Sequence, residues 1–296
     1  KNVVEDISKR KPDERYYVDL DDPNFFYIEK SSRPINLWVD GYWRAIDPSI
    51  HSTANGVYES GFQAVQTTMN ANLQKTGFST ESYEVGFNHY KLKKIHHDNS
   101  VEIIEANWDD ISVTNFSAYI LNVFPSIDLK ISFDEGKTKS EFIIKQDLNV
   151  KELIFIDEMN LSSNLAMHID ATDPNLENFV QVYNVENGIT EFALSPALTY
   201  DNSGSKEAWL SSYELNGNDL SIKVDSAFLN GSGTIYPITV DPLFTAVGPV
   251  FSAFGVHGSL PAPLFCSSNL NVTFPGGSTP WDTQVFWSNF TWGCIS

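Results

Sequence analysis

Ala118-Tyr119-Ile120-Leu121-Asn122-Val123-Phe124-Pro125-Ser126-Ile127-Asp128-Leu129-Lys130-Ile131-Ser132-Phe133-Asp134-Glu135-Gly136-Lys137 is the stretch that decides the fold. In its second half Ile127, Leu129, Ile131 and Phe133 alternate with mostly polar neighbours, the period of a strand with one buried face. Pro125 ends the first run, because proline cannot donate to a ladder. Asp134-Glu135-Gly136-Lys137 then turns the chain back into Lys139-Ser140-Glu141-Phe142-Ile143-Ile144, so the segment reads as antiparallel hairpins.

The same pattern continues in both directions. Downstream strands are expected at Leu153-Ile154-Phe155-Ile156, Leu165-Ala166-Met167-His168-Ile169, Phe179-Val180-Gln181-Val182-Tyr183 and Leu220-Ser221-Ile222-Lys223-Val224. Upstream, Asp40-Gly41 between Asn36-Leu37-Trp38-Val39 and Trp43-Arg44-Ala45-Ile46 is a hairpin signal. Residues 61–75, centred on Phe62, Val65, Met69 and Leu73, read equally as a short amphipathic helix or an irregular strand. Short strands with no long helices between them predict an all-β protein built as a β-sandwich. An aromatic content of 13% suits such half-buried surfaces, and 296 residues suffice for one large or two ordinary domains.

Four regions are expected. Residues 1–34 form an extended N-terminal arm with lead-in strands at Tyr16-Tyr17-Val18 and Phe25-Phe26-Tyr27-Ile28, since Lys9-Arg10-Lys11-Pro12-Asp13-Glu14-Arg15 has no apolar periodicity. Residues 35–244 form the large sandwich. It closes with Tyr236-Pro237-Ile238-Thr239-Val240-Asp241-Pro242, whose prolines place the strand at a sheet edge or a domain exit. Residues 245–263 are a Gly-, Ala-, Ser- and Pro-rich linker, and 264–296 begin a second, Ig-like β-sandwich with strands at Leu270–Phe274 and Thr283–Trp287.

With 19 basic and 38 acidic residues the net charge is -19, which repels phosphate backbones and anionic lipid, so neither nucleic acid nor an anionic membrane is expected as a partner. Solubility alone accounts for such a charge; a divalent cation or a cationic partner is the alternative. Asp19, Asp21 and Asp22, or Asp170 and Asp173, offer oxygens that calcium takes, but without the spacing of an EF-hand, and Asp is common in turns anyway. No apolar run is long enough for a membrane-spanning helix. Lys1-Asn2-Val3-Val4-Glu5-Asp6 shows neither the apolar core nor the cleavage site of a signal peptide, which fits either a cytoplasmic chain or a mature exported one.

No G-x-S-x-G elbow, P-loop or H-E-x-x-H occurs, so no catalytic residue and no cofactor are expected; calcium is the one ion left open. His96-His97-Asp98 is the most reactive-looking cluster, yet adjacent residues on a strand face opposite ways, which favours a solvated loop over a shared metal. Trp38, Trp43, Trp209 and Trp281 are either core residues or a platform for sugar rings. In a eukaryotic host Asn115, Asn160, Asn230, Asn271 and Asn289 would begin glycosylation sequons.

Five landmarks in order carry a resemblance: Pro34-Ile35-Asn36 followed by Asp40-Gly41-Tyr42-Trp43-Arg44-Ala45-Ile46-Asp47, Asn122 to Leu129, Lys139 to Ile144, Ile156-Asp157-Glu158-Met159-Asn160-Leu161, and Tyr236 to Pro242. Together they resemble the β-rich N-terminal module of very large exported repeat and surface proteins of bacteria. The segment from 264 is similar to the extracellular β-sandwich modules of Bacteroidetes surface proteins exported by the type IX system, including gliding-motility adhesins. The resemblance implies a non-enzymatic N-terminal region of a cell-surface adhesin, extracellular, with other surface or motility-machinery proteins as partners and a polypeptide that runs on past Ser296. A carbohydrate-binding module with glycans as partners, or an accessory domain of an exported enzyme, is the alternative.

Export in turn implies a disulfide between Cys266 and Cys294 rather than two buried thiols, and His257 alone is too little for zinc. Asp225-Ser226-Ala227 resembles the O-glycosylation acceptor of exported Bacteroidetes proteins, with Ser226 as the modified residue.

Overall fold

The computed structural model describes residues 2–246 apart from 23, 32–33, 81, 135, 170–178 and 204–208. Its N-terminal segment contains the lead-in strands expected at 16–18 and 25–28, but they are paired in a folded sheet with a third strand and do not form an extended arm. Strands β1 (Val3–Glu5), β2 (Glu14–Asp19) and β3 (Phe26–Lys30) pair antiparallel in the order β1-β2-β3. Polar contacts hold it where apolar periodicity is lacking: Arg10 clasps Glu5 through Nε at 2.6 Å and Nη2 at 2.7 Å, and donates from Nη1 to the Trp43 carbonyl at 3.0 Å. The buried Asn36 side chain donates to the carbonyls of Lys11 and Glu14. That residue opens the next hairpin, β4 (Asn36–Val39) and β5 (Tyr42–Ala45), where Asp40 and Gly41 both take positive φ, 53° and 87°, as a tight hairpin turn demands.

The sandwich strands begin with β6 (Ile50–Ser52), β7 (Val57–Ser60), β8 (Gln66–Asn70), β9 (Lys75–Ser79), β10 (Glu84–Ile95) and β11 (Val101–Glu105). Strand β8 decides the ambiguous 61–75 segment: Thr67 and Met69 are fully buried and their neighbours are not, a period of two. Next come β12 (Ile111–Val113), β13 (Ser117–Phe124), β14 (Ile127–Asp134) and β15 (Lys137–Ile144), in which Ile127, Leu129, Ile131 and Phe133 all point inward, as their alternation predicts. The remainder are β16 (Glu152–Leu161), β17 (Leu165–Ile169), β18 (Val180–Asn184), β19 (Thr190–Leu194), β20 (Ala197–Asp201), β21 (Trp209–Asn216), β22 (Asp219–Lys223), the helical turn α1 (Ser226–Leu229), β23 (Ile238–Asp241) and β24 (Leu243–Ala246).

Two large antiparallel sheets result. The first runs β6-β7-β8-β9-β10-β16-β22, with β11 sharing the edge of β10 that β9 leaves free. The second runs β12-β13-β14-β15 and then onto β23 and β24. Strand β21 belongs to both, pairing at its start with β20 and farther along with β22. Aromatic rings fill the space between the sheets: Phe142 stacks on Phe155 at 4.0 Å, and Phe78 on Phe244 at 5.1 Å. This is the all-β sandwich expected from the strand pattern.

The proline-bracketed strand is not at an edge. β23 is central, paired with β15 on one side and β20 on the other. Pro242 sits where β23 passes into β24 along the same edge of β15, and where the outer partner changes from β20 to β19. A missing N–H does least harm at that change of partner. β24 continues to Ala246, through the boundary expected at 244; the rest of the 245–263 linker and the second module at 264–296 lie outside the described residues.

Candidate functional site

Strand β15 carries a polar group on each of its faces. Toward the core, Ser140 Oγ lies 3.1 Å from His89 Nε2, and His89 Nδ1 lies 2.9 Å from Asp157 Oδ1, with Thr76 Oγ1 at 3.4 Å. The imidazole is packed among Phe87, Phe142 and Trp108. This Ser–His–Asp line has the order of a hydrolytic triad but no access, since His89 is 1% exposed and the adjoining void holds about 10 Å³, the space of one water. Its evident work is to satisfy polar groups that β10, β15 and β16 bring into the core.

The opposite face of β15 holds a charged cluster. Lys139 Nζ lies 2.7 Å from Asp241 Oδ2 and 3.1 Å from Glu141 Oε1, while Lys130 Nζ reaches Glu141 Oε2 at 2.7 Å. Glu141 lies opposite Asp241, one step along from the Phe142–Val240 pair, and Tyr200 from β20 donates to Glu141 Oε1 at 3.4 Å. The carboxylates are 7% and 4% exposed, and Asp241 Oδ1 has no hydrogen-bond partner. Burial pushes the Asp241 carboxyl above the usual range despite Lys139 beside it. Burial pushes Glu141 the same way, but Lys130 and Lys139 outweigh it and hold its carboxyl below the usual range. Lys139, pulled down by burial, is raised overall by Asp241 and Glu141.

The sequence-marked cluster His96-His97-Asp98 is dispersed. His96 faces Glu102 at 3.4 Å, and Asp98 accepts from Ser100 in a tight turn. His97 lines an open polar cleft of about 370 Å³ with Asp147, Asn149, Asn230, Thr234 and Tyr236. Asp19 and Asp22 close turns by accepting from the Asp21 and Asn24 amides, and no group of three or more His, Cys, Asp or Glu set to hold a metal occurs among the described residues. Asp170, Asp173, His257, Cys266 and Cys294 lie outside the described residues, as do Asn271, Asn289 and Trp281. Ser226 is exposed as the first residue of α1, capped by Asp225 Oδ1, which accepts from the Phe228 amide at 2.8 Å. Asn115, Asn160 and Asn230 are exposed.

Among the tryptophans, Trp38 is 44% exposed and meets the half-buried Trp43 edge-on at 5.2 Å on the β4–β5 hairpin, while Trp108 is buried. A second apolar surface lies on the N-terminal sheet. The registers Val4↔Val18↔Phe26 and Tyr16↔Ile28 put these side chains on one face, where Val4 is 49%, Phe26 63% and Ile28 47% exposed. Sequence reasoning missed His89, Asp157, Glu141 and Asp241 as an electrostatic set. No local signal marks them, because each lies in or at the end of a strand of mixed polarity and is brought to its partners only by strand pairing.

No family model, no curated protein and no solved structure matches the chain. Among the described residues no helix is long and apolar enough to cross a membrane.

Proposed function

We propose that this chain is a non-enzymatic, N-terminal docking region of a large bacterial cell-surface adhesin, exported to the cell exterior, with gliding motility as the setting that the resemblance favours. The observation that supports this reading is the uncovered apolar face of the N-terminal sheet, where the strand registers bring the exposed Val4, Phe26 and Ile28 together. Its partners on this reading are other surface or motility-machinery proteins. Purified chain is applied to envelopes of gliding Bacteroidetes cells, and binding is compared with the Phe26→Asp/Ile28→Asp variant, whose β-sandwich circular dichroism should be unchanged. A loss of about tenfold or more in affinity, or about 1.4 kcal/mol, is expected. Equal binding by both chains sinks the proposal, as does no binding by the wild type.

A second reading, a carbohydrate-binding module, draws on one observation. Trp38 and Trp43 offer an aromatic platform at the tip of an ordered hairpin. Glycan-array binding that vanishes in Trp38→Ala would replace the docking reading with this one.

A further inference from the structure

We infer that the Lys139 and Asp241 side chains become joined by an amide bond, formed inside the folded protein with loss of one water and with Glu141 as the proton carrier. The reactants are already in contact, with Lys139 Nζ 2.7 Å from Asp241 Oδ2. They sit on strands locked side by side, since Lys139 pairs with Leu243 and Phe142 with Val240 on the same edge of β15. Such held geometry replaces a bimolecular encounter with an intramolecular one.

Desolvation favours the reactive form of the acid, while the Lys139 ammonium, held by Asp241 and Glu141, gives up its protons to the carboxylates it touches. Asp241 is 4% exposed, its Oδ1 has no hydrogen-bond partner, and burial favours the neutral carboxylic acid, the electrophilic form. Glu141, held ionised by two lysines, is 3.1 Å from the amine and positioned as its base.

The step balances without an oxidant, a reductant or a co-reactant. One proton of the Lys139 ammonium passes to Asp241 Oδ2, giving the neutral acid and the free amine, and the amine attacks Asp241 Cγ, forming the C–N bond. Glu141 takes the second proton from that nitrogen and delivers it to the departing hydroxyl, the C–O bond breaks, water leaves and Glu141 is ionised as at the start. Ammonium and carboxylate have become amide and water with no net proton exchanged. The product also relieves the site, because the charge of the buried Asp241 carboxylate and that of the half-buried Lys139 ammonium disappear together.

Neither half of this group is notable in the sequence. Lys139 and Glu141 lie in one landmark stretch and Asp241 in another, far along the chain; the pairing of β15 with β23 and β24 brings them together.

The test is intact mass spectrometry of the full chain, reduced and denatured, after incubation in the folded state. The wild type should weigh one water less than its sequence, and proteolysis should yield a branched peptide joining the segments around 139 and 241. Lys139→Arg and Asp241→Ala should each restore the full sequence mass. Glu141→Gln should slow the loss of water at least tenfold. A wild-type chain at full sequence mass after prolonged folding overturns the inference. So does a water loss that survives Lys139→Arg, which would place it at another residue. Because the wild type carries the decisive reading, a variant that folds poorly does not blunt the test.

Discussion

His89 shows how one residue's meaning depends on its surroundings. A histidine amid a strand of mixed polarity announces nothing, yet here it joins Asp157 and Ser140 across both sheets at 2.9 and 3.1 Å in a site almost without solvent. Removing one partner of a buried hydrogen-bonded pair costs more than the bond's net worth, because the survivor is left desolvated and unsatisfied. His89→Ala is expected to lower stability by about 3–5 kcal/mol, while His89→Ala/Asp157→Ala should cost clearly less than the sum of the two single changes. Urea denaturation of the four chains in a double-mutant cycle measures this, and simple additivity would show that the contact carries no coupling.

At the level of elements, the N-terminal sheet carries surface ion pairs alongside a half-buried central strand. Lys11 and Lys30 reach the Glu14 carboxylate at 2.6 and 3.0 Å, and these hydrogen bonds, with that of Tyr16, hold its pKa down to about 2 from 4.5. A carboxyl depressed in the folded state contributes stability above its unfolded pKa and loses it as pH falls toward the folded one. The β2–β3 pairing should therefore weaken between pH 4.5 and about 2 and weaken further in salt, because the lysines are exposed. NMR titration of the Glu14 carboxyl and the strand amides checks this; a midpoint near 4.5 would mean that the pairs do not persist in solution.

For residues 1–34 the lead-in strands at 16–18 and 25–28 were legible and fall largely within β2 and β3; their pairing with β1 into a sheet was not, because ion pairs such as Glu14–Lys30 leave no periodic trace. By contrast β14 was legible residue by residue, since a strand buried on one face must alternate. β23 was legible as a strand but not as a central one. Its prolines flank the ladder and do not interrupt it, and only the pairings with β15 and β20 reveal that.

Across the whole molecule the two sheets are fastened by aromatic stacking and by β21, which passes from one to the other. Phe155 is fully buried and lies against Phe142 at 4.0 Å and Phe124 at 6.2 Å, both on the facing sheet. Phe155→Ala should cost about 3–5 kcal/mol through lost transfer energy and the cavity left behind. It should do so in one cooperative transition followed by tryptophan fluorescence and circular dichroism together; separate transitions would mean that the sheets unfold independently.

What the sequence by itself determined was the all-β class, most strand positions and the inward set of residues such as Ile127, Leu129, Ile131 and Phe133, because local alternation and turn chemistry act over a few residues. What only the tertiary structure decided was which strands become neighbours. Asp241 meets Lys139 and Glu141, and His89 meets Asp157 and Ser140, through pairings between strands far apart in the chain. Such long-range register is fixed by the burial of both sheets at once, a collective outcome that no local pattern encodes.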